Sequence, residues 1–482
     1  MSVPSYLDQN APTEISIPHG AEWRFEVPYK TIMTLTVKDG VGEIFGTELP
    51  NDVALRLTGR KGAVYAPLSS GCRLQFETHP NRDNINTSNE DELVHQYVST
   101  DTVVPQLANL SFALEVVRLQ AAADRLRQKT GPKVLIVGNS LAGKTAAAKT
   151  LVSYAAKMER VPVLVNLDPK EGVFSLPGLL TATAVRDFLD VESVNGWGGS
   201  PTTGATPHIP KQPLVRSYGF VGVSENVELY KYQLEQLGRA TLARLKDDDD
   251  ARVGGLVVDT PPLTMKDIDV IETIVLSFSI DLIVVAGNDR LVVDLGRKFE
   301  LQISQNALAV VKISRCNAVT EIEESFVRKC QEDTIREYFN GNFRTRLSPL
   351  KFDVDMKTYV IYKVARLLDY TSQMAFLPSG DSYTADVEGE EAPQKEESLE
   401  KYFVKLDDPN SSNLENSIIV ITLVPVPANG VVLPLELLDS SVLGYAHVLK
   451  VDDAKQKMSM LFPSSNNIPR HVLIATDIGY ME

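Results

Sequence analysis

The chain has 482 residues, of which 43% are hydrophobic and 23% charged, a balance that belongs to ordinary globular domains and excludes a disordered or membrane-embedded chain. A formal net charge of −15 and a pI near 5.0 exclude a protein that coats nucleic acid by bulk electrostatics, so any RNA contact must be local. Length alone calls for roughly two to four domains.

Met1 to Tyr6 show neither the basic cluster nor the apolar run of a secretory leader, and no later run approaches the about 18 apolar residues of a membrane helix. A cytosolic or nuclear protein with no membrane contact is expected. Residues 1–105 read as an N-terminal β domain, a small sandwich or barrel: Met33-Thr34-Leu35-Thr36-Val37 alternates, Lys38-Asp39-Gly40 turns, and Gly42-Glu43-Ile44-Phe45-Gly46 follows. Asn109 to Arg127 forms a helix, carrying Leu110, Leu114, Val117, Leu119 and Leu126 and stopped by Gly131-Pro132.

The most informative stretch comes next. Val134-Leu135-Ile136-Val137 is a short apolar strand, Gly138-Asn139-Ser140-Leu141-Ala142-Gly143-Lys144-Thr145 spells G-x-x-x-x-G-K-T, and Lys144 to Lys157 reads as an Ala-rich helix. The glycines let the backbone from Gly138 through Leu141, Ala142 and Gly143 to Ala146 curl so that successive N–H groups surround a phosphate at a positive helix end. Lys144 then reaches the β- and γ-phosphates, and Thr145 offers its hydroxyl to Mg²⁺, which prefers oxygen ligands completed by water. A nucleoside triphosphate is the implied ligand.

Further strands follow at Val161–Val165, Gly255–Val258 and Leu282–Ala286, each trailed by a helical pattern, which predicts a parallel α/β sheet in a nucleotide domain spanning 106–345. Asp168 and Asp259 close two of these strands and fall at the sheet edge that bears the triphosphate. Either one holds magnesium through water while the other takes a proton from an attacking hydroxyl, or each caps the next helix. Trp197, in Asn195-Gly-Trp-Gly-Gly-Ser200, either stacks on a nucleotide or pins its glycine-rich loop. Asp247 to Asp250 reads as a solvated loop. Arg290 and Arg297, two helical turns apart, either form a lid over the phosphates or sit on a solvated helix face.

Residues 346–482 form a C-terminal β-containing domain, interrupted near 379–400 by an acidic, Gly-, Ser- and Pro-bearing insertion that reads as disordered. Ser417–Val424 and Val442–Phe462, turning at Asp452-Asp453, are its strands. Cys72, Cys316 and Cys330 are too scattered for a disulfide or metal framework and read as buried small hydrophobes. No H-x-x-x-H spacing supports a zinc site, and no guanine-specifying N-K-x-D supports a GTPase switch. The fold class is α/β, a central P-loop parallel-sheet domain flanked by an N-terminal β-sandwich and a C-terminal β-rich domain.

Gly42-Glu-Ile-Phe-Gly-Thr-Glu-Leu49, the phosphate loop, Val165-Asn-Leu-Asp168, Ser200-Pro-Thr-Thr-Gly-Ala-Thr206 with Lys211-Gln-Pro213, Val257-Val-Asp-Thr-Pro261 and Ile335-Arg-Glu-Tyr-Phe-Asn-Gly341 together resemble the polyribonucleotide 5′-hydroxyl kinase family, in its branch of fungal pre-mRNA cleavage factor IA subunits. The resemblance implies three domains, centrally held ATP and Mg²⁺, and membership of the nuclear machinery that cleaves and polyadenylates pre-mRNA. It also implies that the N-terminal domain reaches the nucleotide through Glu22 and Lys61, that the partners are other cleavage factor subunits, and that pre-mRNA is met through the complex.

Two departures bear on activity. Active members resemble one another in Asp-x-Gly-Gln, where this chain has Asp168-Pro169-Lys170-Glu171, and in a T-x-G-W whose tryptophan clamps RNA, where this chain has Thr260-Pro261-Pro262-Leu263. A missing aromatic platform forfeits roughly 1 to 3 kcal/mol of base stacking. The favoured reading is an ATP-binding structural subunit required for cleavage before polyadenylation. The alternative is an active 5′-hydroxyl RNA kinase using Asp168, Arg290 and Arg297, with Thr145, Asp168 and Asp259 on magnesium.

Overall fold

The structure, a computed structural model, describes residues 12–81, 94–193, 196–197, 213–315, 323–341, 346–367, 401–427, 432, 434–463 and 470–481. They form three seven-stranded sheets. The first contains β1 (Thr13–Ile17), β2 (Glu22–Gly40), β3 (Glu43–Ile44), β4 (Thr47–Glu48), β5 (Leu55–Tyr65), β6 (Cys72–Pro80) and β7 (His95–Ser99). Met33, Leu35 and Val37 alternate inward as their pattern predicts, all fully buried. β2 pairs with β7 along its first half and with β6 along its second, so one long strand belongs to both layers of the sandwich. The change of layer falls at a bulge between Val27 and Ile32, opposite Gly59. There φ is +54°, and a Cβ would stand 2.1 Å from the Tyr29 ring, so glycine is required.

α1 (Val104–Ala123) starts earlier than the leucine pattern indicates, because Pro105 sits in its first turn where no N–H partner is needed. The second sheet follows with β8 (Lys133–Gly138), α2 (Lys144–Lys157), β9 (Val163–Asn166), β10 (Leu179–Ala184) and β11 (Leu214–Ser217). α3 (Val227–Asp247), α4 (Asp249–Gly254), β12 (Leu256–Asp259), α5 (Ile268–Ser277) and β13 (Leu282–Ala286) come next. α6 (Asp289–Lys298), α7 (Glu300–Ser304), β14 (Ala309–Ile313) and α8 (Glu324–Asn340) complete it. The strand order is β11-β10-β9-β12-β8-β13-β14. Five strands are parallel as expected, while β10 and β11 extend the sheet antiparallel at one edge.

Successive residues of the central strands serve different cores. Val134, Ile136, Leu164, Val257 and Val284 pack with α2 and the N-terminal sandwich, whereas Leu135, Val137, Val163, Val165, Val258 and Ile283 pack with α3, α5 and the C-terminal sheet. Each such side chain contributes about 1.5–3 kcal/mol by leaving water. The continuous apolar runs seen in the sequence are therefore the mark of a sheet covered on both faces.

Asp247 to Asp250 is not a solvated loop. Asp248 is buried, accepts the Ala251 N–H at 3.4 Å to cap α4, and pairs with Arg186 at 3.7 Å. We expect Asp248→Ala to cost about 1 kcal/mol, read as a lowered thermal midpoint, since cap losses fall in that range.

The third sheet runs between Leu350 and Gly479 with the strand Ser417–Pro425 at its centre, and the strands Val442–Asp452 and Lys457–Phe462 pair antiparallel around the predicted turn. Asn226, fully buried, ties it to the central domain: its carboxamide oxygen accepts Leu229 N–H to cap α3, and its Nδ2 donates to Ala365 O at 2.8 Å and Lys401 O at 2.9 Å. The acidic insertion near 379–400, the Ser200–Thr206 motif with Lys211, and Cys316 lie outside the described residues. Among the described residues no helix is long and apolar enough to cross a membrane.

Candidate nucleotide site

The loop between β8 and α2 has the geometry its sequence predicts. Leu141 (φ +57°) and Gly143 (φ +82°) both adopt left-handed backbone, so the chain curls twice within three residues and turns its N–H groups inward. A Cβ on Gly138 would come within 2.9 Å of Ala286 O, which lets the loop sit tight against β13. Asn288 donates to Asn139 Oδ1 at 3.1 Å and Arg315 Nε donates to Leu141 O at 3.2 Å, fastening the loop from outside. Lys144 is buried and its Nζ donates to Asn139 O at 3.0 Å, across the mouth of the loop. Burial lowers its pKa, against the opposing pull of Asp259, Asp168 and Glu171.

Those three carboxylates share one small volume. Thr145 Oγ1 donates to Glu171 Oε1 at 3.2 Å, and the Thr145 hydroxyl is also within hydrogen-bonding reach of Asp259. Burial, then the Glu171 charge, pushes Asp168 up to about 6 and Asp259 up to about 7. Asp168 also accepts Lys170 N–H at 3.0 Å, and Asp259 accepts Thr260 N–H at 3.0 Å, so both side chains are oriented by their own turns. Among the described residues no three acidic, His or Cys side chains converge closely enough to hold a metal by themselves. The donor set, one hydroxyl and oriented carboxylates beside a phosphate cradle, nevertheless fits Mg²⁺ held largely through water and phosphate oxygens.

The roof over the loop comes from the N-terminal sandwich. A cavity of about 240 Å³ is lined by Glu22, Lys61, Tyr65 and Tyr97 from the sandwich and by Gly143 and Ala146 from the loop and α2. Glu22 and Lys61, which only the resemblance singled out, thus face the phosphate loop from the opposite wall. Glu22 is buried, bound by Arg24 Nε at 3.0 Å and by the Thr102 hydroxyl; Lys61 pairs with Glu26 at 2.9 Å. The roof is seated by the hairpin β3–β4, the Gly42–Leu49 motif: Glu43 accepts Tyr154 Oη at 2.5 Å and Lys157 Nζ at 2.9 Å, both on α2. A Cβ on Gly46 would press on the Tyr154 ring at 3.1 Å, which accounts for the second glycine of that motif.

The remaining candidates divide. Trp197 pins its loop: it is 2% exposed, packs on Phe174 with ring centroids 5.6 Å apart, and donates Nε1–H to Asp187 O at 3.3 Å. Arg290 and Arg297 lie on exposed positions of α6, and Arg290 pairs with Asp294 at 3.6 Å, in the manner of a solvated helix face. Leu263, where active kinases carry the clamping tryptophan, is 1% exposed and packs in the central core. Cys72 is buried as expected, but Cys330 is only half-buried: its Sγ lies 2.8 Å from Tyr29 Oη and it lines a second cavity of about 590 Å³. Glu171 was not a candidate from sequence. Its only sequence signal is that it falls at the glutamine position of the Asp-x-Gly-Gln pattern.

Three family descriptions match the chain: the N-terminal beta-sandwich domain of polyadenylation factor over residues 16–121, the mRNA cleavage and polyadenylation factor CLP1 P-loop over 138–341, and pre-mRNA cleavage complex II protein Clp1 over 347–482. The mRNA cleavage and polyadenylation factor CLP1 of Debaryomyces hansenii is 48% identical over 98% of this chain and 96% of its own. That of Candida albicans is 43% identical, over 97% and 96%. The Clp1p chain of a wild-type Clp1p–Pcf11p complex superposes with a TM-score of 0.81 at 27% identity, covering 98% of this chain and 99% of its own. A second such structure, at a TM-score of 0.80 and 28% identity, was solved for an extended interface between Pcf11p and Clp1p and for the basis of ATP loss in a glycine-to-arginine point mutant.

Proposed function

Since the chain belongs to the Clp1 family of mRNA cleavage and polyadenylation factors, we propose that it is an ATP-binding structural subunit of the pre-mRNA 3′-end processing machinery, required for cleavage before polyadenylation and acting without RNA kinase turnover. The observation that carries this reading is the position of the nucleotide cavity, walled on one side by Glu22 and Lys61 and on the other by Gly143 and Ala146. A ligand there touches two domains at once, so its binding free energy becomes inter-domain stability by mass action. We divide the chain near residues 105 and 345 accordingly. The Glu22 carboxylate is acceptor-only, so it suits an N–H donor such as the amino group of adenine. Thr145, with Asp168 and Asp259 through water, would hold Mg²⁺ and so supply charge neutralisation at the β- and γ-phosphates.

The acceptor side supports a structural role. With Leu263 buried, the site offers no aromatic face at that point to a terminal RNA base. The chain would act in the nucleus with other cleavage factor subunits, as its Clp1p relatives do with Pcf11p, and would meet pre-mRNA through them. One observation favours the kinase alternative: Lys144, Thr145, Asp168 and Asp259 are all assembled around the loop.

We expect protein purified without added nucleotide to release intact ATP on denaturation, and labelled ATP with a 5′-hydroxyl oligoribonucleotide to give no phosphorylated RNA. Phosphorylated product that disappears in Lys144→Ala would overturn the structural reading in favour of the kinase.

A further inference from the structure

The nucleotide cavity and the larger cavity share a partition, built from β5 together with Phe25 of β2 and Phe45 of the β3–β4 hairpin. Lys61, Gly62, Phe25 and Phe45 line both spaces, and Arg60 lines only the larger one. Arg60 spans the larger cavity to the loop that follows β10. Its guanidinium donates to the carbonyls of Val191 and Ser193, with a longer contact of 3.4 Å to Glu192 O. One turn of strand away, Arg56 N–H donates to Glu192 Oε1 at 2.7 Å.

The receiving loop is itself immobilised. Trp197 holds it against Phe174, in the same connection that carries Asp168 and Glu171, and Ser193 Oγ donates to Glu337 Oε1 on α8 at 3.3 Å. α8, whose Ile335–Gly341 motif the nucleotide site does not use, also receives the bulge of β2. Tyr29 reaches Cys330 there and stacks on Phe326 with centroids 5.2 Å apart. Among the described residues the sandwich is held both by the β3–β4 hairpin on α2 and by the Arg60–Tyr29 region on the loop after β10 and on α8.

We propose that Arg60 is a positioning residue that latches the N-terminal roof over the nucleotide and thereby sets how slowly nucleotide leaves. The inference rests on the structural-nucleotide reading and adds to it a named determinant of residence. A ligand held between roof and loop departs when the roof lifts. A planar guanidinium held by backbone carbonyls resists that opening through several charge-assisted hydrogen bonds formed in the closed state alone. Arg60 itself need not touch the ligand; its neighbour Lys61 does the lining, and the latch fixes where Lys61 stands.

The test loads the full chain with labelled ATP and Mg²⁺, adds excess unlabelled ATP, and follows release from wild type, Arg60→Met and Arg60→Lys. Release from Arg60→Met should accelerate about tenfold or more, the worth of one or two charged hydrogen bonds, with Arg60→Lys between it and wild type. Association should not slow, because a looser roof also admits ligand, and this separates an opened latch from a damaged pocket. A folded Arg60→Met that releases ATP at the wild-type rate overturns the proposal. Should that variant fail to fold, Arg60→Lys and Tyr29→Ala decide by the same reading, and unchanged release in both overturns it. Wild type that holds no ATP at all sinks the structural-nucleotide reading and this inference together, whereas retention in wild type with unchanged release in the variants removes the latch alone.

Discussion

Lys144→Ala is expected to empty the nucleotide site while leaving the fold in place. Among the described residues the Lys144 ammonium has one hydrogen-bond partner, Asn139 O at 3.0 Å, on the phosphate loop itself. Its removal takes away the single cation on the loop facing a tail of several negative charges, and each charge-assisted contact is worth roughly 1.5–3 kcal/mol. The dissociation constant should rise by about a hundredfold or more. Stability without ligand should move much less, because the lost ammonium is already held below its ordinary pKa by burial and its one contact is local. The measurement is the thermal midpoint with and without ATP and Mg²⁺. Ligand at about a hundred times its Kd stabilises by about 2.7 kcal/mol, and that increment should be absent from the variant. An undiminished ATP-dependent shift in Lys144→Ala would mean that the nucleotide sits elsewhere.

How much of this was readable in the sequence depends on the range over which each signal acts. The P-loop and α2 were legible to the residue because strand, glycine loop and helix lie in one local run, where propensity and spacing agree. The double-sided burial of β8, β12 and β13 was legible as uninterrupted apolar runs. The antiparallel strands β10 and β11 were not, since Leu179–Ala184 and Leu214–Ser217 are short and gain their strand character from pairing with a neighbour across the sheet edge. Asp248 looked like part of a charge run because its neighbours are exposed aspartates; only the distant Arg186 and the next helix make it a buried cap. The roof illustrates the same limit. Glu22 and Lys61 sit some forty positions apart on paired strands, and Arg60 meets carbonyls of residues 191 and 193, so no spacing rule can join them. Backbone carbonyls carry no sequence signal at all. Glu171 was hidden for a different reason: its chemistry follows from the Thr145 hydroxyl it accepts, and a lone glutamate after a Pro-Lys pair reads as surface.

Asp259→Asn should stabilise the ligand-free chain near neutral pH and weaken its hold on magnesium nucleotide. Asp259 is buried beside Glu171 and Asp168, and its pKa stands at about 7 against an unfolded value near 3.9. With the folded value raised, the native state binds the proton more tightly than the unfolded chain does. The contribution to stability is therefore fully present below about pH 4, and it is lost as pH rises through about 7. Asp168, raised to about 6, acts in the same direction over a lower window. Wild type without ligand should accordingly melt higher at pH 5.5 than at pH 7.5 as far as these groups determine it. The uncharged carboxamide removes the Asp259 part of that slope, so the variant should exceed wild type at pH 7.5 by up to about 4 kcal/mol, with the gap closing toward pH 4. Mg²⁺ and ATP reverse the ranking, because a divalent cation beside Thr145 favours ionised carboxylates and the variant has lost one of them. Melting curves at the two pH values, with and without Mg²⁺ and ATP, measure all four states. A variant less stable than wild type at pH 7.5 without ligand, or an unaltered pH slope, would remove Asp259 as the source. If the expected pattern holds, the ligand-free site holds Asp168 and Asp259 under the cost of burial and of their repulsion with Glu171, which a bound metal nucleotide relieves. That relief gives a nucleotide a stabilising role in this chain without any phosphoryl transfer.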